Sequence, residues 1–250
     1  MTQTRITGGW FQYNGVRSDS MGIKVESRNV FGAPKYDAEF IAVPGRDGEL
    51  INPNRRFSNV QITYTVFVPA LSMAELTEKM TAVKAWLYTE PDRYHELRDS
   101  EDTEAYRMAV INTQLDITQE VNRIGRFTVS FSCLPYRYLL SGTEKRTFSA
   151  AMRFVNPYPF TAKPFITVIG AGRSGTVKFT HGGEEKEWTI NGVSGRLDID
   201  SAEMIVTVDG AIANDRLEGD GFPVFEPGAT TVSFSGAVTS MEVTPRWVTL

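Results

Sequence analysis

The sequence predicts a mainly β protein with one helix, divided into two β-rich domains. Three observations carry that expectation. Apolar and polar residues alternate over much of the chain, one segment alone has the three-and-four spacing of a helix, and turn signals recur about every dozen residues. At 250 residues the chain is long enough for two domains that each bury a core.

In chain order, Asn14-Gly15, Asp47-Gly48, Asn191-Gly192 and Asp209-Gly210 are dipeptides that accept positive φ at tight turns between antiparallel strands. Phe40 to Val43 and Glu49 to Ile51 read as short strands flanking the second turn. Val60, Ile62, Tyr64, Val66 and Val68 alternate with polar neighbours, as in a half-buried strand, and the same reading fits Tyr106, Met108 and Val110. In Phe127, Val129, Phe131 and Cys133 the pattern returns, so Cys133 is expected to pack as a small apolar residue. Met73, Leu76, Met80, Val83 and Leu87 predict an amphipathic helix near residues 72–88. Ser72 with Glu75 makes a capping box, Leu71 is placed to staple onto Leu76, and Pro91 ends the helix near Tyr88. The segment Leu139 to Lys145 is the predicted boundary, giving domains 1–140 and 141–250. Strands are then expected at Thr147–Val155, Pro164–Ile169, Thr176–Phe179, Glu187–Ile190, Leu197–Ile199, Met204–Val208, Thr231–Phe234 and Met241–Val243.

Composition narrows the function. The net charge is −4, without the basic excess of a protein that grips nucleic acid through phosphates. A single cysteine excludes an intrachain disulfide framework and fits synthesis in a reducing cytoplasm. No apolar run approaches the roughly 20 residues of a membrane span, and residues 1–20 lack the pattern of a secretory signal.

Chemical motifs are weak. Gly170-Ala171-Gly172-Arg173-Ser174-Gly175 spells the dinucleotide fingerprint, but the alternating residues after it read as a strand instead of the required helix, so a glycine-rich hairpin is expected there. His95 and His181 lack partners at metal-ligand spacing. Neither Asp198, Asp200 and Glu203 nor Asp209, Asp215, Glu218 and Asp220 fits a calcium loop, and solvated loop acids are the expectation. No nucleophile elbow is present. The reading is therefore no catalysis, no cofactor and no metal. Trp188 and Trp247 are weak candidates for sugar stacking on a carbohydrate-binding β-sandwich, although core packing is the commoner fate of such rings.

A family resemblance gives these features a context. Phe11-Gln12-Tyr13-Asn14-Gly15, Met21-Gly22-Ile23 and Val43-Pro44-Gly45-Arg46-Asp47-Gly48, followed later by Asn156-Pro157, Lys163 to Val168 and Pro245-Arg246-Trp247, resemble the distal tail proteins of long-tailed bacteriophages, in the compact form without an inserted carbohydrate module. The resemblance implies a ring-forming first domain of β-sheet plus helix and a galectin-like second sandwich. It implies a structural hub: a hexameric ring at the virion tail tip that joins the tail tube and tape-measure end to the tail-associated protein or central fibre, and in many members supports receptor-binding proteins. The turn at Arg46, Asp47 and Gly48 is the candidate contact between copies. A carbohydrate-binding adhesion module is the alternative function.

Overall fold

The computed structural model describes residues 8–120 and 123–250. The chain forms two compact units, one running to Arg137 and including Leu250, the other spanning Tyr138–Thr249.

The first unit contains β1 (Phe11–Tyr13), β2 (Val16–Arg17), β3 (Lys24–Arg28), β4 (Tyr36–Ala42), β5 (Glu49–Phe57), β6 (Val60–Pro69), α1 (Met73–Leu87), β7 (His95–Asp99), β8 (Asp102–Ile111), β9 (Thr118–Glu120) and the long β10 (Ile124–Leu139). Its main sheet has the order β2-β1-β7-β8-β10-β6-β3, and β4 and β5 form a separate two-stranded sheet. The alternation in β6 and β10 has its expected consequence: Val60 to Val68 and Phe127 to Cys133 bury every second side chain. Burial pushes the Cys133 thiol up to about 12, so it packs as an unreactive apolar group. Phe11 sits at the centre of this core, with Tyr64 at 4.5 Å and Phe131 at 5.7 Å between ring centres.

In β8 the phase is opposite to the sequence expectation. Ala105, Arg107, Ala109 and Ile111 are buried, while Tyr106, Met108 and Val110 are partly exposed. A shift of one residue exchanges the faces of a strand. Ala109 shares the core with the bulky side chains of β6 and β10, and Arg107 is buried on the same face of the strand.

The helix begins where expected. Ser72 Oγ accepts from the backbone N–H of Glu75 at 3.2 Å, but Glu75 returns its carboxylate to the N–H of Leu71 at 2.7 Å, not to that of Ser72. With its backbone held in this way, Leu71 turns outward and is exposed, so the anticipated staple onto Leu76 is not made. Leu76, Met80, Val83, Trp86 and Leu87 form the buried face. Ser72→Ala removes the cap and is expected to lower stability by about 1 kcal/mol, read as a shift in the denaturation midpoint at unchanged slope.

The second unit contains β11 (Arg146–Phe148), β12 (Met152–Asn156), β13 (Phe165–His181), β14 (Glu184–Asn191), β15 (Ser194–Asp200), β16 (Ile205–Val208), β17 (Ala211–Ile212), β18 (Leu217–Glu218) and β19 (Gly228–Thr244). Strand pairs that the sequence separates are continuous here: residues 165–181 form one strand and residues 228–244 another, paired along their lengths. The first half of β13 also pairs with β15 and the second half with β14. Gly170–Gly175 lies inside β13, at shifts of register against β19, and closes no hairpin. A Cβ at Gly170 would run into the Ala237 carbonyl oxygen and Val193, so glycine is required there by the close approach of β19. Asn191-Gly192 likewise links β14 to β15 without pairing them to each other, since both pair with β13. Asp209-Gly210 does close the β16–β17 hairpin, with φ of 50° and 80°.

One ion pair anchors the end of this unit. Arg246 donates to both carboxylate oxygens of Asp200, at 2.7 and 3.0 Å. Burial by itself raises the Asp200 carboxyl, but the Arg246 fork and the N–H groups of Glu203 and Ala202 outweigh it and hold the group below the ordinary carboxylate value. A carboxyl lowered in the folded state stabilises it above the unfolded pKa, and that contribution disappears as pH falls through the folded value. Stability is therefore expected to drop on acidification below the ordinary Asp range. Arg246→Met should flatten that part of a stability-versus-pH curve measured by denaturant titration.

Candidate assembly interface

The arm formed by β4 and β5 is the feature that the core of the first unit leaves uncovered. Its turn follows from the residues: Val43 accepts from the Arg46 N–H at 3.2 Å across Pro44-Gly45, with Gly45 at φ 79°. Proline followed by a positive-φ glycine is the signature of a type II turn. Gly48, at φ 76°, completes the tip, so Arg46, Asp47 and Gly48 are brought together there and all three are exposed.

Behind the tip, Ala42 lies opposite Glu49, Ile41 opposite Leu50 and Phe40 opposite Ile51. Successive residues of a strand point to opposite faces. The Phe40–Ile51 pair therefore covers one face and Ile41–Leu50 the other. Phe40 is 61% and Ile51 63% exposed, and Ile41 and Leu50 are exposed as well. The strands, expected to be short, reach Tyr36 and Phe57, and they pair with each other in their own sheet instead of lying at the edge of a larger one. Sequence reading located the turn but not these four apolar residues. The available signal was that Phe40-Ile41 and Leu50-Ile51 are adjacent pairs, which place apolar groups on both faces of a strand.

Polar contacts fix the arm's root. Asp37 accepts from Asn54 at 3.0 Å and from Arg56 at 2.6 Å, which lowers its carboxyl below the usual value, the Asn54 hydrogen bond contributing most. The Ser58 N–H donates to the Lys35 carbonyl, and Phe57 packs edge-on between Tyr36 and Tyr136. An isolated two-stranded ribbon is marginal in water. Here the root is fixed while the outer part holds apolar groups in solvent, an arrangement suited to docking into a protein surface.

The two tryptophans lie elsewhere. Trp188 is 2% exposed and packs edge-on against Phe179, while its indole N–H donates to the Gly221 carbonyl at 2.9 Å. Trp247 is buried against Phe225. Neither ring offers a free face for a sugar. Asp198 accepts from Arg196 and from the Thr167 hydroxyl. Among the described residues no cluster of three His, Cys, Asp or Glu side chains is placed to hold a metal ion.

Comparison with known proteins agrees with this architecture. Residues 18–133 match the family of the phage tail protein RIFT-related domain. Curated proteins give no sequence match. Among solved structures, the chain is similar to the SPP1 Dit protein, described as a paradigm of the hub adsorption apparatus in phages that infect Gram-positive bacteria, with a TM-score of 0.76 at 12% identity over 97% of this chain and 99% of that one. It is also similar to a chain of the phage P2 baseplate in its activated conformation with Ca, with a TM-score of 0.52 at 9% identity over 94% and 97% of the two chains. Residues 18–133 thus match the phage tail protein RIFT-related domain, and the chain shares the fold of the SPP1 Dit protein over almost its whole length.

Proposed function

We propose that this protein is a structural hub of a phage tail tip or baseplate, without catalytic activity. Copies assemble head to tail into a hexameric ring through the β4–β5 arm. The observation that carries the reading is an arm with exposed apolar pairs on both faces, in a chain with the fold of a phage hub protein. A ribbon apolar on one face would need one neighbouring surface; apolar on both, it is best covered by insertion between surfaces. A head-to-tail contact that closes by rotation makes a ring, because each copy then gives and receives the same element.

In this reading the ring joins the tail tube and tape-measure end to the tail-associated protein or central fibre, and supports the receptor-binding apparatus. The second unit is a galectin-like sandwich that takes part through its surface, since Trp188 and Trp247 are committed to its core. The chain's lack of a basic excess suits a collar through which DNA passes without adhering. Virion tail localisation follows from the same role.

Mass in solution and electron microscopy test this. The chain, alone or mixed with its neighbouring tail proteins, should form closed six-membered rings. The charge exchange Arg46→Glu with Asp47→Lys at the arm's tip should lower the oligomer mass. A concentrated sample that stays monomeric and makes no ring with those neighbours would refute the hub assignment. An unchanged mass for the charge exchange would remove the tip from the interface.

A further inference from the structure

The arm that carries the exposed apolar pairs is interrupted near its root. Tyr36 lies opposite Phe57 and Asp37 opposite Arg56, but the next residue of β4, Ala38, lies opposite Pro53. Asn54 and Arg55 are therefore extra residues of β5, with no counterpart in β4. Pro53 has no N–H to give to a ladder, which suits a point where pairing is interrupted. Arg55 has a φ of 55°, in the left-handed region that an arginine seldom enters. A residue held there persists only where its surroundings over-determine it. Here the determinant is Asp37, one carboxylate oxygen of which accepts from Asn54 Nδ2 at 3.0 Å and the other from Arg56 Nε at 2.6 Å. The side chain thus grips the residue on each side of Arg55.

Extra residues bend a strand and sharpen its twist. On the inner side of the bulge, the root is fixed by the Ser58 N–H on the Lys35 carbonyl and by Phe57 between Tyr36 and Tyr136. On the outer side, the register runs unbroken from Ala38 and Pro53 to Ala42 and Glu49. We propose that the bulge is an elbow that sets the direction of the outer ribbon, with Asp37 and the left-handed backbone of Arg55 as its positioning residues. The ribbon carries Phe40, Ile41, Leu50 and Ile51, so the angle decides where these side chains are offered to a neighbouring copy. That consequence rests on the hub reading, whereas the elbow itself does not. A held angle also reduces the freedom lost when the ribbon docks.

Distances between spin labels in the full chain test the elbow, with Asp47→Cys at the tip and Thr128→Cys, exposed on β10, as the reference point. Cys133 is buried and stays unlabelled. Labelled protein is diluted into unlabelled chains, so that only distances within one chain are read. The labelled parent should give one narrow distance. Asp37→Ala and Arg55→Val should each shift or broaden it, the first by releasing the clamp and the second because a β-branched residue resists the left-handed region. Arg55→Asn should keep it, since asparagine accepts that backbone without the guanidinium. An unchanged distance in either of the first two variants, or a lost one in Arg55→Asn, overturns the inference. A broad distribution in the parent does so even if a variant fails to fold. Ring mass separates this result from the hub reading: without labels, Arg55→Val should lower the oligomer mass and Arg55→Asn should not. A chain that forms no ring refutes the hub and leaves the elbow to be decided by the distances. A lost angle with unchanged ring mass refutes the elbow's part in assembly.

Discussion

The double substitution Phe40→Glu with Ile51→Lys should abolish ring assembly and leave the chain folded. The two residues face each other across the β4–β5 register and are 61% and 63% exposed, so neither contributes to the core of the first unit. Exposed substitutions usually change stability by no more than about 0.5 kcal/mol, and opposite charges facing each other across two strands are themselves compatible with pairing. At an interface the same residues are expected to act as buried anchors, and losing such an anchor weakens association by at least about 2 kcal/mol, roughly thirtyfold. Since the change repeats at every contact of a closed ring, the assembly should collapse to single chains in a mass measurement with an unaltered melting curve. Ile41→Lys with Leu50→Glu, on the opposite face, should act in the same direction. If only one of the two pairs has an effect, the arm is covered on one face and not inserted between surfaces.

Trp188→Ala should have the opposite profile, with severe loss of stability in the second unit and no direct effect at the arm. The indole fills the space beside Phe179, and its N–H satisfies the Gly221 carbonyl. Truncating a buried tryptophan costs about 3–5 kcal/mol, because the cavity relaxes only in part, and the released carbonyl adds to the penalty. That is a large share of the 5–15 kcal/mol typical of a domain, so the second unit should melt many degrees lower in calorimetry while the first unit's transition stays in place. The same variant would remove any glycan binding simply by unfolding the second unit. A test of sugar binding therefore belongs on surface residues, not on this ring.

How far the sequence alone reached can be followed residue by residue. The period-two pattern of β6 and of Phe127 to Cys133 was sufficient, because those strands present large apolar side chains on one face and Thr, Ser or Gln on the other. The Ser72 and Glu75 start of the helix was legible for a local reason, since a cap needs only the four residues that make it. In β8 the reading failed. Arg107 and two alanines look like an outward face, and only the tertiary structure turns the guanidinium inward, against the Val30 carbonyl. The glycine-rich segment at Gly170 reads as a turn in the sequence because glycine marks turns and close backbone approaches alike, and the neighbour that decides between them, Ala237 in β19, lies far along the chain. The candidate interface was half visible: the Pro44-Gly45 turn is local, whereas the exposure of Phe40, Ile41, Leu50 and Ile51 depends on β4 and β5 pairing with each other, apart from the main sheet.

By itself, then, the sequence determined the lack of a basic excess from composition, and the β class, the single helix and its start, the main alternating strands and the tip of the arm, all set by neighbours within a few residues. Tertiary structure decided which face of β8 turns inward, that residues 165–181 and 228–244 each run as one strand, that both tryptophans are buried, and that an apolar arm is left in solvent. These depend on what long-range pairing brings opposite each residue, and in a β protein the energy of burial is distributed by such pairings.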